Sequence, residues 1–305
     1  MTHYLQPNPY LKKLGFSNAD RLAILHADDI GMCQGSVAAY ADLIDFGILS
    51  SAAMMVPCSW FPAAAASYHQ HRDTPKLDVG VHLTLTSEWD NYRWRPISTC
   101  EPGSGLLDAE GYFHALARYV HEQADSTAID QELQAQIERA LAAGLDITHV
   151  DTHMLTLFEP RLLPHYFKLA QVYRLPAFML RGDAAQWHRW GYDDETANVL
   201  AALTQAVEEQ GLPLCDHFYM MSLTEHEARL QEGRRALAAC PAGITHFVIH
   251  PVKDGPELRA IAPDWRSRVA DYELFTSEAW KQAIAESGVQ VIGYRSLRDA
   301  LRAGI

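Results

Sequence analysis

The sequence contains no run of the ~18 to 20 apolar residues that a membrane span needs. Residues 1–16 show neither a long apolar stretch nor a small-residue cleavage pattern, so no secretory leader is expected. Cysteine is scarce: Cys33, Cys58, Cys100, Cys215 and Cys240 are scattered, odd in number and never spaced C-x-x-C. That fits a reducing cytoplasm better than a disulfide framework or a structural zinc site. Positive charge is in deficit too. The 25 Lys and Arg face 38 Asp and Glu, a formal net charge of −13. Such a surface disfavours nucleic acid and anionic membranes as partners. There is no Gly-rich phosphate loop, internal repeat or low-complexity linker.

What remains is the composition of an ordinary globular protein. The chain has 305 residues, 48% of them hydrophobic and 21% charged, enough for one large α/β domain with a sizeable core. Short strand-like runs at about 21–28, 48–56, 77–86, 147–153, 177–181, 214–220, 244–251 and 289–294 alternate with helical patterns. The helices are expected near 35–46, 61–70, 129–143, 162–173, 196–210, 225–239, 275–286 and 297–303. Alternation of this kind predicts a largely parallel sheet with outer helices. Seven or eight units in a chain of this length suggest an irregular (β/α) barrel, with an open doubly wound sheet as the alternative. Two stretches break the rhythm, at about 87–127 and 252–270, and read as inserts into a single domain spanning 1–305.

In parallel α/β folds the functional groups gather at the C-terminal ends of the strands. The first strand ends in Asp28-Asp29-Ile30-Gly31. Side chains alternate along a strand, so two adjacent carboxylates share a cleft only where the backbone turns. Two such charges repel unless a cation lies between them, and a divalent metal is the usual solution. On the third strand, period two places His82 opposite Val81 and Leu83. On the fourth, His149, Asp151 and His153 share one parity, a costly cluster to bury unless it binds something. The seventh carries His246 and His250 on one face.

Asp29, His82 and His153 therefore read as a three-ligand metal site with an open position for water. Asp151 and His149 are candidates to orient those ligands. Asp28 is left free as a general base, and His250 can give a proton to a leaving group. With an ordinary pKa near 6.5, His250 is expected to start protonated, giving a bell-shaped pH profile. N/O ligation favours zinc and also admits magnesium, iron, cobalt or nickel. Trp89, Tyr92 and Trp94 either stack on sugar rings or form an aromatic mini-core that holds the insert together. Arg181, at the end of the fifth expected strand, either anchors a substrate or makes an ion pair.

Taken in series, Ala27-Asp28-Asp29-Ile30-Gly31, Asp78-Val79-Gly80-Val81-His82-Leu83-Thr84-Leu85-Thr86, Thr148-His149-Val150-Asp151-Thr152-His153 and Ile249-His250-Pro251 resemble the YdjC-like family of carbohydrate deacetylases. Arg268 with Asp271, and Val291-Ile292-Gly293-Tyr294, also fit the family's pattern. The resemblance implies an irregular barrel that removes acetyl groups from N-acetylated sugars using one divalent metal. It carries the ligand roles to Asp29, His82 and His153, the base to Asp28 and the acid to His250. The implied substrate is a small N-acetylated sugar or oligosaccharide, with Arg181, Trp89, Trp94 and Asp151 as candidate substrate contacts. A homodimer stays open. The competing classes are a non-haem metal oxygenase, another amidohydrolase on the same ligand set, and a non-catalytic sugar-binding module.

Overall fold

A computed structural model describes residues 6–71 and 78–304. Its strands are β1 (Arg21–Ile30), β2 (Ser51–Met54), β3 (Val79–Leu83), β4 (Ile147–Thr152), β5 (His217–Met220), β6 (Gly243–Ile249) and β7 (Gln290–Val291). They lie in the order β4-β3-β2-β1-β6-β5, with β7 added beside β1, and every pairing is parallel. The strand β1 is the axis of this arrangement. It pairs with β6 from Arg21↔Gly243 to Ala27↔Ile249, with β7 at its start, and with β2 towards its end. A parallel strand covered on both faces needs apolar residues in sequence rather than alternation. Leu22, Ala23, Ile24, Leu25 and Ala27 supply them, and all are buried.

No ladder closes the sheet between β4 and β5 among the described residues. Residues 177–181 bridge that gap: Phe178 N donates to Val150 O at 2.8 Å, and Arg181 N donates to Cys215 O at 2.8 Å. The strand expected there is thus only one bridge on each side. Pro176 has no N–H with which to extend pairing towards β4. The result is a mostly parallel, barrel-like sheet ringed by helices.

The expected helices appear at Gln34–Phe46, Phe61–Gln70, Ser126–Ala142, Leu163–Tyr173, Asp194–Glu209, Arg229–Ala239, Glu278–Ser287 and Tyr294–Ala303. Gly47 closes the first of these at φ +81°, a backbone angle that favours glycine. Other expectations need correction. The stretch 252–270 is not an irregular insert, since it carries helices Pro256–Ile261 and Trp265–Phe275. Pro256 occupies the first turn of its helix, where proline's fixed φ is already suitable. The last strand shrinks to two residues because Gly293 starts the helix at Tyr294. The strands β2, β3 and β5 are shorter than expected, and Leu77, the expected start of the third, lies outside the described residues. Residues 87–127 are mainly irregular, with a 3₁₀ turn at Pro102–Ser104 and a helix at Ala117–Gln123. No helix among the described residues is long and apolar enough to cross a membrane.

Candidate metal and catalytic site

The strand β1 ends in an irregularity that aims its two carboxylates. Its register against β2 shifts between Ala27 and Ile30. Asp29 sits at φ +60°, a left-handed conformation that costs a non-glycine residue on the order of 1–3 kcal/mol. That turn brings Asp29 into the same cleft as Asp28 instead of the opposite face of the sheet. A similar left-handed pair, Met154 at φ +54° and Leu155 at φ +51°, follows His153 at the end of β4.

Asp29, His82 and His153 converge. Asp29 Oδ1 lies 3.4 Å from His82 Nε2 and 3.2 Å from His153 Nδ1, and those two nitrogens are 3.3 Å apart. All three residues are buried. Two donors held about 2.1 Å from one ion at a tetrahedral angle stand about 3.4 Å apart, so this triangle has the edge length of a shared ion's ligands. Other buried groups of the same chemistry, His26 with His149 and Asp151, and Asp28 with His82 and Asp151, also cluster. They fit less well, because Asp151 already joins their rings. Its Oδ1 accepts from His82 Nδ1 at 2.7 Å, and its Oδ2 lies 2.7 Å from His26 Nε2. That leaves His82 Nε2 as the nitrogen facing Asp29.

The electrostatics follow from this crowding. Burial alone would raise the Asp29 carboxyl, but the facing His153 and Arg268 hold it well below the usual range. Arg268 Nη1 donates to Asp29 Oδ2 at 2.7 Å. Burial opposes charge on the histidines, yet Glu88 and Asp29 bring His153 up to about 9, and Asp151 and Asp28 raise His82 well above its ordinary value. Without an ion these rings are cationic and neutralise the carboxylates. With an ion they must be deprotonated.

Asp28 faces the cleft beside this triangle. Its Oδ1 is 2.9 Å from His26 Nε2, and its Oδ2 is 3.8 Å from His250 Nε2. His250 is held from behind: its backbone N donates to Asp271 Oδ2 at 2.9 Å. Burial lowers the His250 pKa below the ordinary value, so the ring is neutral near pH 7. The expectation of a protonated resting His250 is corrected by its loss of solvent.

The remaining expected residues divide. Asp151 is at the site but faces two histidines rather than open space. His149 is fully buried, stacks on Tyr294 at 4.0 Å between ring centres, and lies under the glycine of β3. A Cβ at Gly80 would come within 2.4 Å of His149 Nε2. Trp89, Tyr92 and Trp94 form the mini-core, with ring centres 5.6–6.3 Å apart. Trp94 Nε1 donates to Thr86 O at 2.7 Å, and its ring packs on His153 at 6.1 Å. Trp89 lies under the Arg268 guanidinium at 5.4 Å. Arg181 is not brought to the cluster. It pairs with Glu208 and with Asp216 at 2.8 Å, where Asp216 immediately precedes β5 and also accepts from Ile244 N near the start of β6.

Sequence reasoning passed over His26 and Glu88. His26 shares the parity of Asp28 on β1, which is a usable signal. Glu88 opens the irregular insert and has no periodic signal at all. Its two carboxylate oxygens accept from His153 Nε2 at 3.0 and 3.1 Å.

A parallel α/β sheet with a buried Asp-His-His triangle, and with Asp28 and His250 beside it at the strand ends, defines a strand-end site whose donors could hold a metal ion. The description "YdjC-like protein" matches residues 22–286, and the chain belongs to that family. It is 30% identical to a carbohydrate deacetylase of Thermus thermophilus over 95% of this chain and 98% of that one. It is 28% identical to a carbohydrate deacetylase of Brevibacillus brevis, covering 90% and 98% of the two chains. Among solved structures, it superposes on a putative cellobiose-phosphate cleavage protein of Enterococcus faecalis with a TM-score of 0.72, at 24% identity over 91% of this chain and 99% of that one. That likeness concerns the fold.

Proposed function

We propose that this protein is a metal-dependent deacetylase that hydrolyses the acetamide of a small N-acetylated sugar or oligosaccharide. The carrying observation is the 3.2–3.4 Å triangle of Asp29 Oδ1, His82 Nε2 and His153 Nδ1, flanked by Asp28 and His250. The deacetylase relatives support the choice of reaction, and membership in the YdjC-like family supports the metal. Asp29 Oδ1 is buried and makes no hydrogen bond, a state it shares with Asp28 Oδ1 and Asp151 Oδ2, so it is available to an ion. The N/O donor set fits zinc first, then iron, cobalt, nickel or magnesium.

Asp29, His82 and His153 would hold a divalent ion, which when bound would lower the pKa of a water and polarise the acetamide carbonyl. Asp28 takes the proton of the attacking water as its oxygen adds to the carbonyl carbon. The C–N bond then breaks, and the departing nitrogen needs a proton. His250 starts neutral, so the proton it delivers is the one Asp28 has collected; at 3.8 Å Oδ2 and Nε2 are too far apart for a direct hydrogen bond, and that proton passes through one intervening water. Acetate and a free amino sugar leave. The buried mini-core at Trp89 and Trp94 packs on the His153 side of the site and walls it against water. The test is acetate release from N-acetylglucosamine and its short oligomers, by chelated protein and by the same protein after each of the five metals is restored. Release that requires a metal is the expected result. A protein loaded with each metal that frees no acetate from any of these sugars counts against the reading.

A further inference from the structure

The two histidines of the triangle reach it with different ring nitrogens. His82 points Nε2 at Asp29 and gives Nδ1 to Asp151 at 2.7 Å. His153 does the reverse, pointing Nδ1 at Asp29 and giving Nε2 to Glu88 at 3.0–3.1 Å. A neutral imidazole carries one N–H, and the group that accepts it decides which nitrogen keeps its lone pair. The strand β4 places Asp151 behind His82. Glu88 comes from the first residues of the aromatic insert, where Ser87 Oγ accepts from Trp94 N at 3.0 Å and so ties that end down.

We infer that Glu88 is a positioning residue that holds His153 as the Nε2–H tautomer, making Nδ1 the metal-binding nitrogen of that ring. This inference rests on the metal reading given above. The Glu88 side chain is only 16% exposed, and both of its oxygens address the same nitrogen, so the carboxylate can accept one N–H and hold the ring's orientation. The His153 carboxylate partners then sit at opposite ring positions, Asp29 on the metal side and Glu88 behind. The aromatic insert acquires a role beyond packing, because Trp94 lies against the same ring at 6.1 Å and limits its rotation. Partners of this kind, behind a ligating histidine, commonly change metal affinity by about 10–100-fold when removed.

The experiment measures zinc affinity by competition with a chromogenic chelator for wild type, Glu88→Gln, Glu88→Ala and Asp90→Asn. Asp90 is exposed in the same insert, and its substitution removes one negative charge without touching His153. In parallel, the ring ¹⁵N spectrum of zinc-loaded protein identifies the coordinating nitrogen. The expected result is a loss of affinity of about 10–100-fold in Glu88→Ala and a smaller loss in Glu88→Gln, whose amide oxygen still accepts from Nε2. Asp90→Asn should stay within about twofold of wild type. The wild-type spectrum should show coordination through Nε2 of His82 and Nδ1 of His153. Coordination of His153 through Nε2, or affinity in both Glu88 variants within twofold of wild type, overturns the inference. So does an equal loss in Asp90→Asn, which would mean plain charge. If wild type itself binds no zinc, the underlying metal reading fails instead, so the two failures are distinguishable. Should Glu88→Ala not fold, Glu88→Gln and the wild-type spectrum still decide.

Discussion

His26 and Asp28 stand two residues apart on β1 and meet beneath the cleft, with His26 Nε2 2.9 Å from Asp28 Oδ1. The same nitrogen lies 2.7 Å from Asp151 Oδ2, and Nδ1 is 2.9 Å from Ser51 Oγ. Burial would lower the pKa of this ring, but Asp151 and Asp28 carry it up to about 9. His26, with its raised pKa, therefore stands between Asp28 and Asp151, the carboxylate that accepts from His82. Removing one partner of a buried ion pair leaves its counter-charges uncompensated, at a cost of roughly 3–5 kcal/mol. His26→Phe is expected to lose about that much unfolding free energy in urea at pH 6.5. The folded pKa of His26 is raised, so its stabilisation is complete below about 6.5 and fades as pH rises through about 9. The gap between wild type and variant should narrow accordingly. A gap that widens with pH contradicts a cationic His26.

Metal uptake should expel protons. In the metal-free site His153 titrates at about 9 and His82 is also raised, so both are protonated near neutral pH. Ligation needs both rings neutral. Zinc binding at pH 7.5, followed calorimetrically in buffers of different ionisation enthalpy, should release about two protons, and affinity should climb with pH until about 9. Release of none would mean that the ligands are other residues.

The aromatic insert is structural first. Trp94 is 5% exposed and bonded through Nε1 to Thr86 O. Trp94→Ala should destabilise the fold by about 3–5 kcal/mol, read by chemical denaturation. An unchanged midpoint together with a raised Michaelis constant would return this residue to the role of a sugar-stacking platform.

Much of this was legible in the sequence, and the reasons are local. The convergence of His82 and His153 follows from parity along buried strands, that of Asp29 from the turn expected where the first strand ends, and all three from the rule that functional groups gather at the C-terminal ends of parallel strands. Arg181 misled because the stretch 177–181 looks like another strand, and a strand end implies the cleft. The structure instead gives it bridges only, and pairs Arg181 with Glu208 at the end of the helix Asp194–Glu209 and with Asp216 just before β5. Glu88 and the hold of Arg268 on Asp29 depend on an insert and on a helix some 239 residues away in sequence from the carboxylate it grips. No periodicity encodes such contacts. The helices in 252–270 were hidden by Asp254-Gly255-Pro256, which reads equally as a turn and as a helix start.

His250 should not produce a falling alkaline limb near pH 6.5. Burial sets its pKa below the ordinary value, and a ring that begins neutral and relays a proton imposes no such limb. Turnover against pH should rise to a plateau. His250→Ala should lose roughly 10²–10⁴-fold in turnover, and an acetanilide with an electron-poor amine should recover part of it. Such a leaving group needs no acid, so Asp28→Asn should not recover. Equal recovery in both variants would dissolve the division of roles.

The most direct measurement compares Asp28→Asn with Asp29→Asn, neighbours on either side of the turn at φ +60° to which the proposal gives different roles. Bound zinc and acetate release from the best N-acetylated sugar would be recorded on the same purified samples. Asp28→Asn should retain stoichiometric zinc and lose about 10²–10⁴-fold in turnover, the usual worth of a general base. Asp29→Asn should lose zinc and activity together. If Asp29→Asn keeps its zinc, or if Asp28→Asn loses it, the metal triangle and the base have been assigned to the wrong carboxylates.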